Sequence, residues 1–288
     1  MNSFSPDPNS FLPDRTDAIN PVSSNGHEAF IAGEYDRAIA AFTQAIGTQP
    51  HPTEIDLSEI YLYRGSSYCE LGHYTAAIAD FQQVLQYQPG ATTAYRGLGI
   101  AHYKLGHFDQ AIACYTQALE KDPNNTDVYS DRALVYMEQG DLNAALSDLN
   151  QAISIDANST IALVNRGRVY HALGNFSQAL LDFNQAILLD KNLAITYYCR
   201  GRTYGASEKW QAALTDLNQA IALQSNLGPA YLERGRLFDR QGQFAAALQD
   251  YHQAVQYSPR LGETYLYRGN LYAKAGDFAA ANADYSQG

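Results

Sequence analysis

The sequence predicts an all-α solenoid built from repeated pairs of helices. Three observations lead to this prediction: a residue pattern that returns every 34 residues, small and large residues at helical spacing within each copy, and a glycine between the two halves of most copies. A period of this length is typical of chains in which each unit packs mainly on its neighbours. We therefore expect helical hairpins placed side by side.

The chain begins with a segment that lacks this pattern. Residues 1–24 contain Pro6, Pro8, Pro13 and Pro21 among Ser, Asn and Asp, and they predict a flexible N-terminal tail. The solenoid is expected over residues 25–288, and an insertion containing Thr53 to Leu57 separates its first two copies. The repeats lie near 19–52, 58–91, 92–125, 126–159, 160–193, 194–227, 228–261 and 262–288.

Small and large residues occupy fixed columns. One first-half column holds glycine in seven of the eight copies and Ala133 in the other, and such small residues are expected where two helix backbones approach closely. A stripe of large rings, mostly tyrosines, lies three or four residues to either side and fills the remaining space. The turn between the two helices carries a glycine suited to a left-handed helix end, except at Glu208.

These columns, as in AYRGLGIAHYKLGHFDQAIACYTQALEKDPNN over residues 94–125, resemble the tetratricopeptide repeat family over roughly residues 25–288. The resemblance implies paired antiparallel helices stacked into a right-handed superhelix. It also implies that the inner, concave face holds a peptide segment of a partner protein. It implies no reaction.

An arginine in the first helix is matched by an aspartate sixteen residues later. In the two copies where Asn25 and Leu98 replace the arginine, Ala41 and Cys114 replace the aspartate, so presence and absence agree in all eight copies. We interpret this as a structural ion pair inside each repeat, whose loss would be costly if it is buried. The predicted pairs are Arg64 with Asp80, Arg132 with Asp148, Arg166 with Asp182, Arg200 with Asp216, Arg234 with Asp250 and Arg268 with Asp284.

Composition argues against several functions. The formal net charge is −11, which disfavours nucleic acid as a partner because phosphate binding requires clustered positive charge. No stretch resembles an export signal or a membrane span, and the three cysteines, Cys69, Cys114 and Cys199, form neither a disulfide framework nor a zinc motif. We expect a cytoplasmic protein without membrane insertion.

The sequence contains no convincing catalytic or cofactor motif. Gly97 and Gly99 begin a dinucleotide fingerprint that His102 interrupts, and His102 and His107 are poorly spaced to share a metal. We therefore predict no enzymatic activity, no cofactor and no metal site.

The first helices of the later repeats carry the candidate binding residues. Arg168, Arg202 and Arg236 recur one repeat apart, without an acidic column beside them, and predict an unmatched arginine row. The same face is expected to offer apolar anchors and amide groups for an extended peptide, namely Val164, Tyr198, Leu232, Asn165 and Asn270. This pattern favours a partner segment with acidic and apolar residues. The alternative is a solvated face on which Glu233 satisfies Arg236.

Three functions remain open at this point. The first is a non-catalytic scaffold or adaptor that binds a partner segment in its groove, in the service of complex assembly. The second is a regulatory or substrate-docking segment of a larger enzyme, suggested by the absence of a polar capping helix before Gly288. The third is a structural protein that self-associates through its last helix, with Phe278 and Tyr285.

Overall fold

The computed structural model describes residues 21–47 and 53–287, and the regular structure of these residues is entirely helical. The predicted all-α solenoid of helix-turn-helix repeats is confirmed. The tail predicted over residues 1–24 lies outside the described residues up to residue 20, and residues 21–24 belong instead to the first helix. The described residues fall into two compact units, one within 1–155 and the other within 156–288.

The first unit contains four helical hairpins. Its helices are α1 (Pro21–Ile31), α2 (Tyr35–Ile46), α3 (Glu54–Glu70), α4 (Tyr74–Tyr87), α5 (Thr92–Lys104), α6 (Phe108–Lys121), α7 (Thr126–Gln139) and α8 (Leu142–Ile155).

The second unit also contains four helical hairpins. Its helices are α9 (Thr160–Ala172), α10 (Phe176–Leu189), α11 (Ala194–Ala206), α12 (Trp210–Leu223), α13 (Gly228–Arg240), α14 (Phe244–Tyr257), α15 (Gly262–Lys274) and α16 (Phe278–Tyr285).

The predicted repeat starts coincide with helix starts from the third repeat onward. Helices α5, α7, α9, α11, α13 and α15 begin at the positions where the sequence places a new copy. The second repeat differs, because the residues after Thr53, predicted as an insertion, form an additional first turn of α3. Thr53 and Asp56 stabilise this turn through a reciprocal capping box.

Left-handed residues connect the two helices of each hairpin. Seven of these turns use a glycine with a φ of +73° to +81°. The eighth uses Glu208, whose φ of 60° is one that a side chain disfavours. At the one turn where the sequence lacks glycine, Glu208 therefore adopts the left-handed conformation that glycine adopts in the other turns.

The space available at each position of the small-residue column depends on the size of the side chain sixteen residues later. A Cβ atom added to Gly99 would lie 2.5 Å from the Tyr115 ring, so glycine is required there. At Gly201 the nearest atom would be Leu217 Cγ, at 3.1 Å, because a leucine replaces the ring. The column's one alanine, Ala133, is followed sixteen residues later by a leucine, Leu149, instead of a ring.

The first helices line one side of each unit. In the second unit α9 contacts α11, and α11 contacts α13; in the first unit α1, α3, α5 and α7 are in contact in the same way. Successive second helices, as far as the described residues show, make at most marginal contact with each other. Each unit is therefore narrower on the side of its first helices, and this side is its inner surface.

Candidate functional site

The structure contains all six predicted arginine–aspartate pairs. In each pair Nε and Nη2 of the arginine donate to the two carboxylate oxygens, at 2.6–2.9 Å. The aspartate side chains are 5–8% exposed and the arginine side chains 14–20%. These arginines are thus committed to the fold.

These arginines also contact aromatic rings and side chains of the preceding repeat. The Arg200 guanidinium lies 5.7 Å from the Tyr197 ring and 5.8 Å from the Tyr204 ring, and its Nη1 donates to Asn184 Oδ1 at 2.7 Å. The hydrogen bond to Asp216 raises the pKa of Arg200. Arg64, Arg132 and Arg234 repeat this arrangement, with Thr43, Thr116 and Asn218 as the acceptors from the preceding repeat.

The second arginine row lies on α9, α11 and α13, and its three members have different partners. Arg168 donates to Asn165 Oδ1 at 3.0 Å, and Arg202 donates through Nε to His171 Nε2 at 3.2 Å. Neither has a described carboxylate within ion-pair distance. Arg236 pairs with Glu233 at 3.1 Å, so the expectation of an unmatched row is wrong for Arg236 and the alternative pairing is the one observed.

Two members of this row, Arg202 and Arg236, open onto a cleft in the second unit. The cleft has a volume of about 170 Å³ and is lined by α11, α13, the start of α12 and the end of α9. Its lining residues are His171, Arg202, Gly205, Ala206, Trp210, Glu233, Arg236, Leu237 and Arg240. We call it the arginine cleft.

Aromatic rings orient two of the cleft's guanidinium groups. Arg240 lies 5.2 Å from the centre of the Trp210 ring, and Arg236 lies 4.9 Å from that of Tyr267. Contacts of this kind hold a guanidinium group without neutralising its charge. Sequence reasoning missed Arg240 and Trp210 because they lie thirty residues apart and in different columns.

Hydrogen bonds fix the protonation of His171. Its Nε2 accepts from Arg202, so its Nδ1 carries the proton and donates to Thr203 Oγ1 at 2.9 Å, and Thr203 in turn donates to the Cys199 carbonyl. Burial, reinforced by the charge of Arg202, lowers the pKa of His171 to about 4. This side chain is therefore neutral at physiological pH.

Several residues predicted for the groove are not accessible. Val164 is fully buried and Leu232 is 3% exposed, so neither can be an anchor for a partner. Asn165 is also fully buried and positions Arg168 instead of presenting its amide. Val164 and Leu232 occupy equivalent positions of their repeats, and both side chains point into the packed interior.

Tyr198 and Asn270 retain some exposed surface. Burial raises the pKa of Tyr198 to about 12, although the adjacent Arg202 opposes that shift. Asn270 is exposed on α15 and accepts a hydrogen bond from the Tyr285 hydroxyl at 2.8 Å.

In the first unit, an arginine of one repeat pairs with two aspartates of the next repeat. Arg96, which is 6% exposed, donates through Nε to Asp131 at 2.7 Å and through Nη1 to Asp127 at 3.1 Å. Arg96 thus balances part of the negative charge of Asp127 and Asp131. Arg96 belongs to the repeat that lacks an internal pair, at Leu98 and Cys114.

The cysteines have the properties of unreactive thiols. Burial raises the pKa of Cys69 to about 12 and that of Cys114 to about 11, and it raises the pKa of Cys199 against the opposing charges of Arg168 and Arg202. Within the described residues, no three His, Cys, Asp or Glu side chains are grouped as a metal site would require. In the same part of the chain, every helix is too short or too polar to cross a bilayer.

The chain belongs to the tetratricopeptide repeat family. Models described as "Tetratricopeptide repeat" match residues 69–135, 198–256 and 232–287, and one described as "TPR repeat" matches 133–174 and 167–207. Tetratricopeptide repeat protein 12 of Mus musculus is 30% identical over 81 residues, which are 28% of this chain and 11% of that protein. Heat shock protein STI1 of Saccharomyces cerevisiae is 35% identical over 77 residues, which are 27% of this chain and 12% of that protein. The chain thus spans a small part of these relatives.

Solved structures show the same fold. The structure of the APC/C hetero-tetramer Cut9-Hcn1 aligns with a TM-score of 0.68 at 18% identity, over 89% of this chain and 57% of that one. YrrB, described as "a TPR protein with an unusual peptide-binding site", aligns with a TM-score of 0.50 at 25% identity, over 67% of this chain and 97% of that one. This fold supports a role in protein–protein interaction.

Proposed function

We propose that the protein is a non-catalytic scaffold that binds an extended segment of a partner protein on the inner surface of residues 156–288, and so brings that partner into a larger complex. The observation that carries the proposal is the row of Arg168, Arg202 and Arg236 on three successive first helices, two of whose members have no described carboxylate partner. The peptide-binding site described for YrrB supports the same use of the fold.

The charge distribution supports an acidic partner. Residues 156–288 contain 12 Lys and Arg against 11 Asp and Glu, whereas residues 1–155 contain 7 against 19. Acidic ligands should therefore approach the second unit more readily than the first. Exposed apolar side chains on its first helices, Ile161 at 38% and Leu266 at 50%, replace the buried Val164 and Leu232 as the hydrophobic contacts.

Charge reversal with a matched control tests this function. Arg168→Glu, Arg202→Glu and Arg236→Glu in one chain should abolish capture of partner proteins and leave the helical circular dichroism spectrum unchanged. The control reverses Lys191 and Arg260, which are exposed and lie in turns between repeats, outside the first helices. Capture should survive in the control and weaken with added salt. Equal capture by both variants would reject the proposed surface.

Self-association is a second candidate, favoured by the exposed apolar surface of the last repeats. Phe278 is 68% exposed and Phe244 51%, and Phe244 borders an apolar cleft that also includes Leu248 and Leu271. Light scattering of the purified chain, compared with Phe278→Ser, measures this directly. A single-chain mass at micromolar concentrations would exclude it.

A further inference from the structure

We propose that the arginine cleft binds a doubly negative group carried by the partner segment, either a phosphate monoester or two adjacent carboxylates. This inference rests on the proposed function, because it names the chemistry that the inner surface of the second unit would recognise. Neither the family match nor the similar structures assign a ligand to these residues.

The first argument is the charge balance of the cleft. Arg202, Arg236 and Arg240 contribute three positive charges, and Glu233 contributes the one carboxylate among the lining residues. His171 adds no charge, because its Nε2 accepts a hydrogen bond from Arg202. The net charge of +2 is matched by a dianion and is only half balanced by a single carboxylate.

The second argument is that the guanidinium groups are held in place. Trp210 supports Arg240, Tyr267 supports Arg236, and His171 fixes Arg202 through its Nε. These contacts do not neutralise the guanidinium groups; the carboxylate of Glu233 does so in part, since it pairs with Arg236 and also attracts Arg202. Little side-chain entropy would then be lost on binding, since most of it is already lost in the free protein.

The third argument is size. The cleft has a volume of about 170 Å³ and is partly open to solvent. This space suits the charged end of a side chain. Recognition of phosphorylated and acidic motifs by arginine clusters is a recurrent mode of peptide binding.

The single tryptophan makes the test specific to this site. Trp210 is the only tryptophan in the chain and lines the cleft, so its fluorescence reports on the cleft alone. We would titrate the full chain, at constant ionic strength, with phenyl phosphate, with a short Glu-Glu peptide, and with benzoate as a monoanion. Phenyl phosphate or the Glu-Glu peptide should give a saturable change with an affinity at least tenfold above that of benzoate. Whichever of these two ligands binds more tightly shows whether the cleft recognises a phosphate monoester or two adjacent carboxylates.

Variants decide whether the arginines carry this binding. Arg202→Gln and Arg240→Gln should each weaken the dianion at least tenfold, whereas Arg260→Gln, which removes the same charge at an exposed position outside the cleft, should leave its affinity unchanged. Absence of a saturable signal, equal affinity for the monoanion, or equal weakening in Arg260→Gln would overturn the inference. Failure of partner capture with intact dianion binding would instead count against the proposed function alone.

Discussion

Arg200 of one repeat donates a hydrogen bond to Asn184 of the repeat before it, at 2.7 Å, while the same guanidinium group binds Asp216 within its own repeat through two further bonds. One side chain thus joins three helices, α10, α11 and α12. The same geometry at Arg64, Arg132 and Arg234 makes the arginine column a set of links between neighbouring repeats.

Asp216→Asn should lower the free energy of unfolding by about 3 kcal/mol or more, because it leaves a largely buried guanidinium group without its counter-charge. Chemical denaturation followed by circular dichroism measures the change. Glu34→Gln is the control, since the Arg37–Glu34 pair is 65% and 51% exposed and should cost about 0–1 kcal/mol. Equal costs at the two sites would contradict this interpretation.

Gly167→Ala should destabilise the protein by about 1–3 kcal/mol, because the new Cβ would lie 2.6 Å from the Phe183 ring. Gly201→Ala should be milder, since its nearest contact is Leu217 at 3.1 Å and alanine favours the helix by up to about 1 kcal/mol. The two thermal midpoints give the comparison. A loss at Gly201 as large as that at Gly167 would show that ring size does not determine the column.

Glu208→Gly should stabilise the chain by about 0.5–1 kcal/mol. A left-handed conformation costs a residue with a side chain roughly 1–2 kcal/mol, and the extra freedom of glycine in the unfolded chain offsets part of the gain. Glu208→Ala is the matched control, because it removes the carboxylate and keeps the backbone strain. If the alanine variant gained as much as the glycine variant, relief of strain would not be the cause.

Acidification should weaken the second unit through His171. Its pKa is about 4 in the folded chain and about 6.5 when unfolded, so the unfolded state takes up a proton first as the pH falls. The stability associated with neutral His171 is complete above pH 6.5 and declines between about pH 6.5 and pH 4. His171→Gln should lose less stability than the native chain over this interval, as measured by denaturant titration at each pH. If the stability of the native chain and of the His171→Gln variant changed equally with pH, protonation of His171 would not be the cause.

The 34-residue period and the matched columns of the sequence predict much of the fold. The helix starts from α5 onward follow from the 34-residue period, and the arginine–aspartate pairs follow from matched gains and losses across eight copies. The bonds to the preceding repeat escape such reasoning, because their acceptors differ in residue type, with threonine at Thr116 and asparagine at Asn184.

The candidate site is less predictable from sequence. The arginine row follows from its spacing, but the burial of Val164 and Leu232 depends on the exact rotation of each helix within its unit. The contact between Arg240 and Trp210 depends on the packing of α12 beside α13, which the column pattern of a single repeat does not contain.

The bonds of Arg200 also bear on how such a chain can lengthen. Asn184, Arg200 and Asp216 recur one period later as Asn218, Arg234 and Asp250, with the same bonds. A tandem duplication of any 34 consecutive residues would therefore carry the acceptor, the guanidinium group and the carboxylate at the spacing that these bonds require. The number of repeats can therefore increase by duplication without a new kind of contact between neighbouring repeats.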